Sequence, residues 1–599
     1  MTRRFNRAAA GSLCVAASVL LLPGWASGQT APRVSQEIVV TATVTPVPAE
    51  WLSRTVVVMT RQDLGQFGFT SVIEALRVVP GVDVRARGPR DVQADLSLRG
   101  ATFGQNLVMV DGLRLNDSQS GHHNGEIPAA IEGIDRIEVV AGPTSSAHGA
   151  DALGGAVNVI SRKGQYFGVG ADVGQHGYAS GRVSFGGDPL PNDWAVTGWT
   201  TRSDGFVFDR EFALGGIAAR GSLGHGAAFD IRHQRRAFGA NGFYGNSPSK
   251  EWTDQTLTAL SWGRVHGRMT TTANILFRNH GDHFLWDIRT PGVAENRHRT
   301  NATEFRFTMA REFEGGRRLT WGATGGGDWV RSTNLSDHDY ARGGAFTEAL
   351  LPLGPRTTAL AAIRFDSYST FGESVSPSLS VAVRAISSLR LRASVGRAFR
   401  VPTFTELYYH DPANLGTPDL QAEHGWSLDA GVDWTVAPDW TISVSPFRRW
   451  DENVIDWVKP TAPDLWRSTN VRDVTSTGVE ASVSGRWRSS LARGYFAALG
   501  VDAPALNLLS KYVLEYARYQ AGGSLSIPTV ADVRLGINVD YRNRRDGQSY
   551  TLLGARIGRA FGRTTVYVDG SNLLNESYRE ISTVVMPGRW ITAGVSFGM

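Results

Sequence analysis

Residues 118 to 128 read SQSGHHNGEIP and set His122 beside His123. An imidazole can ligate a metal centre or hydrogen-bond a polar ligand. Adjacent residues point in different directions, and the metal of a chelate is often coordinatively full. Metal ligation, hydrogen bonding and plain loop structure therefore all stay open for this pair. Phe103 offers a ring on which a flat ligand can stack, and Gln105, Asn116, Gln119 and Asn124 offer amides. Arg87 and Arg90 add guanidinium groups within RARGPRDVQ, residues 85 to 93. Phe243 and Tyr244 in FGANGFYG read either as a loop tip that closes over a ligand or as incidental aromatics in a Gly-rich loop. This is the chemistry of non-covalent binding. GVSFG, residues 594 to 598, matches the nucleophile-elbow pattern, but that motif needs a strand-to-helix turn and one residue alone follows it. HExxH, P-loop and acidic calcium-loop patterns are absent. The expectation is a protein that is not an enzyme and has no metal or cofactor of its own.

These residues sit on a chain built for export. Arg3, Arg4 and Arg7 precede the apolar run AAAGSLCVAASVLLLP, and Ala26, Ser27 and Gly28 follow, the layout of a signal peptide over residues 1–28. Phe5 directly after the Arg pair argues against a twin-arginine signal. Cys14, the single cysteine, lies inside the apolar run without a lipobox, so the exported chain has no thiol for a disulfide or a thiolate metal site. No later segment approaches the ~18 consecutive apolar residues of a spanning helix. With 68 Gly and 17 Trp, the remainder reads as a large β protein. The net charge of +5 is weak evidence, since Arg supplies all but Lys163, Lys250, Lys459 and Lys511 of the basic residues. Nothing in it argues for nucleic acid.

The elements fall into two textures. From about 50 to 163 the chain reads as a mixed α/β globule. Ser71 and Glu74 have capping-box spacing, Val72, Leu76 and Val79 follow at helical spacing, and Pro80-Gly81 stops the helix. Short strands come next: DLSLRG, QNLVMVDGLRL, DRIEVVAG and GGAVNVIS. After Lys163, alternation with period two recurs to the end. In ADVRLGINVDYR one face carries Val533, Leu535, Ile537, Val539 and Tyr541, the other Arg534, Asn538, Asp540 and Arg542. VDWTVAPDWTISV is two such runs joined by a tight hairpin at Ala437-Pro438-Asp439. Segments of about ten residues, with polar stretches such as 279–300 and 410–424 between some of them, fit a barrel with its apolar face to lipid and its polar face to a lumen. At ~20 residues per strand and connection the length permits about 22 strands, a lumen wide enough to need a plug.

One segment has no partner nearby. Glu37, Ile38, Val39, Val40, Thr41, Ala42 and Thr43 are strong strand formers, followed by Pro46 and Pro48, which read as extended and unpaired. Such a strand is free to pair edge-to-edge with another protein.

Taken in order, these segments resemble the TonB-dependent outer-membrane receptors, over nearly all of the exported chain. EIVVTA is similar to the family's TonB box. LRVVPGVDV, LSLRG, VMVDGLRLND and IDRIEVVAGPTSSAHGADALGGAVNVISRKG follow the plug pattern. GRAFRVPTFTELYY with GTPDLQAE, STNVRDVTSTGVEAS and DGSNLLNESYRE are similar to barrel signatures. SQSGHHNGEIP and RNHGDHFLWDIRTPGVAENRHRT look nearest to cobalamin-receptor-like members. Two residues depart from the pattern: Met599 ends the chain where the family has an aromatic residue, and His148 stands where Tyr is common.

The resemblance implies an all-β transmembrane barrel of about 22 antiparallel strands with an N-terminal α/β plug domain in its lumen. The domains expected are a signal peptide at 1–28, box and linker at 29–49, plug at 50–163 and barrel at 164–599. It implies active import of a scarce chelate of cobalt or iron, a cobalamin or a ferric siderophore, by a monomer in the outer membrane of a Gram-negative-type bacterium. Haem, an oligosaccharide or a passive or gated channel are the alternatives. About eight residues between cleavage site and box leave little room for a signalling domain. Partners implied are TonB with its inner-membrane energising complex, a small-molecule substrate, outer-membrane lipid and the barrel-insertion machinery. The substrate is expected at three plug apices, 85–93, 101–106 and 116–125, and Arg99, Arg136 and Glu138 are expected in plug-to-barrel ion pairs. Ordinary strand surface charge is the competing reading for those three.

Overall fold

The computed structural model describes residues 38–39, 41–187, 193–245, 247–503, 507–581 and 584–598. The expected signal peptide, Glu37 and Val40 of the expected box, and Met599 lie outside them. From Tyr166–Gly174 to Trp590–Gly598 the chain forms a closed barrel of 22 antiparallel strands, with Asn414–Leu415 and Leu509–Ser510 as short additions. The last strand closes on the first, Phe597 opposite Val169 and Val595 opposite Ala171. No helix among the described residues is long and apolar enough to cross a membrane.

The alternation read from the sequence decides which face is which. Tyr541 is exposed, while its neighbours Asp540 and Arg542 are buried. Leu391 and Val395 are exposed and Arg392 is buried. Leu260, Ile275, Phe277, Phe305 and Ile363 extend the outward apolar band. Apolar outside and charged inside is the inverse of a soluble sandwich, and it suits a wall between lipid and a polar lumen.

The strands are longer than the expected ten residues. Lys250–His266 has 17, Glu295–Glu312 has 18 and Trp466–Trp487 has 22, against the ~9–11 that cross a bilayer. The excess projects past the lipid, where ladder hydrogen bonds persist without an apolar face. This corrects the reading of 279–300 as a polar connection: Met269–Leu285 and Glu295–Glu312 take most of it, leaving 286–294 as the loop. The segment 410–424 likewise contains Asn414–Leu415, paired in parallel with Trp466 and Arg467. One rim carries longer connections, including 401–422, 503–516 and 572–589. The other carries tight turns such as 225–226, 267–268 and 438–439.

The plug fills the lumen. A five-stranded sheet runs Val56–Thr60, Ile134–Ala141, Gly155–Ser161, Asn106–Val110, Leu113–Arg114, with the pair Asn106–Val110 and Gly155–Ser161 parallel. A hairpin, Val82–Ala86 with Ala94–Leu98, lies beside it. Thr60 caps Arg61–Gln66 in a full capping box with Asp63. Ser71 caps Val72–Leu76 by accepting from the Glu74 N–H. Glu74 itself bonds Thr70 rather than Ser71, so the expected box is half formed. The helix stops at Leu76 and not at Val79, because the residue before Pro80 is pushed out of the helical region. Met59, Leu64, Phe67, Ile73, Leu76, Val108, Ile137 and Val157 form the plug core.

Candidate functional site

The plug presents its expected apices to the long-loop rim. Arg210, at a rim connection, donates to the Arg87 carbonyl, and the Phe404 N–H, in 401–422, donates to the Ser118 carbonyl. Tyr512, in 503–516, stands edge-on to Phe103 at 5.1 Å between ring centroids. Phe103 stacks on His122 at 4.2 Å and 27°. The His122 Nδ1 lies 2.8 Å from Asp95 and its Nε2 3.4 Å from the Tyr512 hydroxyl. Burial pushes the His122 pKa down to about 4 against the pull of Asp95, so the ring is neutral at pH 7. Its Nδ1–H then donates to the carboxylate, leaving Nε2 to accept from Tyr512. Burial disfavours the Asp95 charge too, but Arg87, 3.0 Å away, and His122 outweigh it and hold the carboxyl low. Phe103, His122 and Tyr512 are all partly exposed. A cavity of ≈ 770 Å³ opens in the same rim region, lined by Val454, Asp456, Leu509, Glu515, Arg544 and Glu580 among others.

The other expected ligand contacts are turned inward. Asn116 receives the Val108 N–H and donates to the Asn106 carbonyl; Asn124 accepts from the Asp117 N–H and donates to the Phe103 carbonyl. Gln105 caps Thr102 and donates to Glu423. Their amides hold the apices in shape, which takes them away from a ligand. Gln119 donates to Asp282 on the wall. Arg90 reaches Thr70 and Glu74 and lies over the Tyr178 ring. Phe243 is a correction to the loop-tip reading: it is buried against Phe238 under the Arg210 guanidinium, because that loop folds into the lumen. Tyr244 points the same way, its hydroxyl donating to Gln93.

Arg99 joins plug to wall. Its guanidinium donates to Glu480 at 2.9 and 2.8 Å and to Asp429, and it covers the Phe447 ring at 4.3 Å. Asp63–Arg493, Asp83–Arg544 and Asp117–Arg278 repeat this plug-to-wall pattern, and Arg77–Glu580 ties the plug to the rim connection 572–589. Arg136 instead pairs with Asp135 and Glu138 of its own strand.

Glu138 serves the box. Its Oε2 accepts from the Thr41 N–H at 3.0 Å and hydroxyl at 2.6 Å. Asn158 donates to the Thr41 hydroxyl, and His148 Nε2 lies 2.9 Å from the Thr41 carbonyl. Burial, with Arg306 nearby, pushes the His148 pKa down to about 3. The neutral ring must therefore carry its proton on Nε2. Thr41, Ala42 and Thr43 are buried, and Val44 N donates to Glu348 while Arg318 donates to the carbonyls of Thr45 and Pro46. Arg318 and Trp51 adjoin the short-turn rim, so the box lies at the end opposite the apices. Ile38–Val39 pairs antiparallel with Val47–Pro48. Pro48 is thus paired rather than free: a two-residue ladder tolerates its missing N–H.

A family model of the TonB dependent receptor-like β-barrel matches residues 151–591, and one of the TonB-dependent receptor plug domain matches 49–156. The chain belongs to the TonB-dependent receptors. Among curated relatives of this receptor, the vitamin B12 transporter BtuB of Vibrio vulnificus strain CMCP6 is 24% identical, covering 91% of this chain and 88% of that one. Among solved structures, the siderophore receptor PirA from Acinetobacter baumannii superposes with a TM-score of 0.75 at 16% identity, over 91% of this chain and 98% of that one. A ferric enterobactin receptor, PfeA from Pseudomonas aeruginosa, gives 0.72 at 16%, over 91% and 98%. At such identities the structures establish the fold alone. Members of this family are outer-membrane receptors and transporters that work with TonB, not enzymes.

Four residues of this receptor escaped the sequence reading. Tyr512 sits in a connection without a motif. Asp95 had a signal, since Asp83 and Arg85 alternate on the hairpin strand opposite it and Arg87 continues the alternation just past its end. His280 and Asp282 lay in the segment taken for a loop.

Proposed function

We propose that this receptor imports a compact chelate of cobalt or iron across the outer membrane, a corrinoid first and a ferric siderophore second, driven by TonB pulling on residues 37 to 43. The observation that carries the energised reading is the latch at Thr41. A strand-forming segment, tied to the plug through Glu138, His148 and Asn158 at the rim opposite the apices, is a handle on the plug. A passive channel has no use for one. Beside apolar packing, the plug-to-wall contacts include many ion pairs and hydrogen bonds, which rehydrate as they part and so yield to a pull more readily than a wholly apolar interface.

The curated relative named as a vitamin B12 transporter supports the corrinoid. The Phe103, His122 and Tyr512 group supports a flat ligand, with ring area for stacking beside a neutral imidazole. The rim cavity of ≈ 770 Å³ suits a ligand of this size, within the roughly 300–1,000 Å³ of small-molecule sites. The test is a titration of refolded receptor by tryptophan fluorescence against cobalamins, ferric siderophores and haem. A corrinoid is expected to saturate the signal, with Phe103→Ala and Tyr512→Ala each weakening it about tenfold, as losing a stacking ring costs ~1–1.5 kcal/mol. Saturation by a ferric siderophore alone moves the substrate to that class. If no chelate binds, the chelate reading fails.

A further inference from the structure

Beneath the third apex, where plug meets wall, lies a cluster that the substrate site does not use. His123 and Glu126 come from the plug, His280 and Asp282 from strand Met269–Leu285, and Glu251 from strand Lys250–His266; all are buried. Glu126 Oε1 is 3.1 Å from His123 Nδ1, and its Oε2 is 3.6 Å from His280 Nε2. Asp282 Oδ2 is 3.6 Å from His123 Nε2, and the two imidazoles are 4.5 Å apart between centroids. Bonds of ~2.0–2.2 Å in a tetrahedron set neighbouring donor atoms roughly 3.3–3.6 Å apart. One ligand atom from each of His123, Glu126 and His280 lies within 4.8 Å of the others, so modest side-chain shifts bring them to that spacing.

A second observation points into the same place. His280 is fully buried, yet neither of its ring nitrogens makes a hydrogen bond of acceptable angle, although Asp117 Oδ2 is 2.9 Å from Nδ1. Asp282 Oδ1 is also without a partner. Buried polar atoms are otherwise almost always satisfied. Carboxyls also outnumber guanidiniums here. Asp117, Glu126, Glu251 and Asp282 face two guanidiniums, Arg278 on Asp117 and Arg236 at 3.6 Å from Glu126. Arg87 is committed to Asp95. Protons on His123 and on one of the carboxyls can balance this set, and so can a dication.

We propose that His123, Glu126 and His280 bind a divalent transition-metal ion of the zinc class, with Asp282 and Glu251 as adjoining carboxylates, and that the ion staples the plug to the barrel wall. Two imidazoles with carboxylate select this class over calcium or magnesium, which take all-oxygen sets. The ion is separate from any metal within an imported chelate, because the donors are sealed beneath the apex. A proton is the competing occupant: burial disfavours charge on His123, but hydrogen bonds to Asp282 and Glu126 outweigh it and raise its pKa.

The experiment uses the full chain in detergent, stripped with a chelator and titrated with Co²⁺, then with Zn²⁺ in competition. A single equivalent is expected, with the intense visible bands of tetrahedral cobalt, displaced by Zn²⁺. His280→Ala and Glu126→Gln are expected to weaken binding about 100-fold or more, and His225→Ala, in an exposed turn, to leave it unchanged. Glu126→Gln keeps the shape of the side chain and covers the case in which His280→Ala does not fold. Absence of saturable binding, octahedral cobalt spectra, or equal affinity in Glu126→Gln and the parent overturns the proposal and leaves protons as the occupants.

Discussion

At Thr41 a single hydroxyl both donates to Glu138 and accepts from Asn158. Hydrogen bonds to charged groups contribute about 1.5–3 kcal/mol each, so Thr41→Val is expected to shift the docked box toward release by ten- to a hundredfold. A nitroxide at position 45 reads this as a larger mobile fraction in the electron paramagnetic resonance spectrum; an unchanged immobile signal means the hydroxyl does not latch the box. His148 adds a pH dependence. Its docked pKa of about 3 lies below the ordinary 6.5. A state that exposes it therefore binds the extra proton between these values, so plug stability contributed by neutral His148 is present above about pH 6.5 and lost as pH falls toward 3. The urea midpoint for plug unfolding should drop from pH 7 to pH 4, and less so in His148→Gln. Equal drops in the two proteins would exclude His148 as a source.

Elements position these residues through a few close approaches. Gly81, just ahead of strand Val82–Ala86, has φ +75°, and a Cβ there would stand 1.9 Å from Glu480 Oε1. Since Glu480 holds Arg99, Gly81→Ala pushes apart the pair that docks this corner of the plug. Leaving a buried charge wholly uncompensated costs roughly 3–5 kcal/mol, the upper bound here because Arg99 keeps Asp429. Limited proteolysis should release plug fragments from the variant faster than from the parent, while the barrel keeps its heat-modifiable mobility in gels. Unchanged proteolysis would mean that Glu480 swings clear without loss.

Much at this scale was legible in the sequence: alternation in ADVRLGINVDYR assigned Asp540 and Arg542 to the lumen, and Ala437-Pro438-Asp439 marked a hairpin. Strand length was not, because beyond the lipid nothing selects an apolar face, and 279–300 looks polar throughout. Nor was the inward course of Phe243, which depends on a wall residue, Phe238, and on Arg210 from another connection. The apices were found by their neighbours. Which of their amides were free, as against tied to Asn106, Phe103 or Glu423, is a tertiary fact with no periodic trace.

The whole molecule has two functional ends. Partly exposed aromatic groups face the long-loop rim, a buried box faces the short-turn rim, and a plug ringed by ion pairs lies between them. The claim that unites them is energised import. The measurement is accumulation of labelled corrinoid by cells that carry this receptor as their only route, with and without TonB. Accumulation above the outside concentration is expected with TonB present, and its loss is expected both without TonB and in Ile38→Pro, where the box can no longer pair fully as a strand. Uptake that only equilibrates, at the same rate with and without TonB, would contradict the account and make the protein a passive channel.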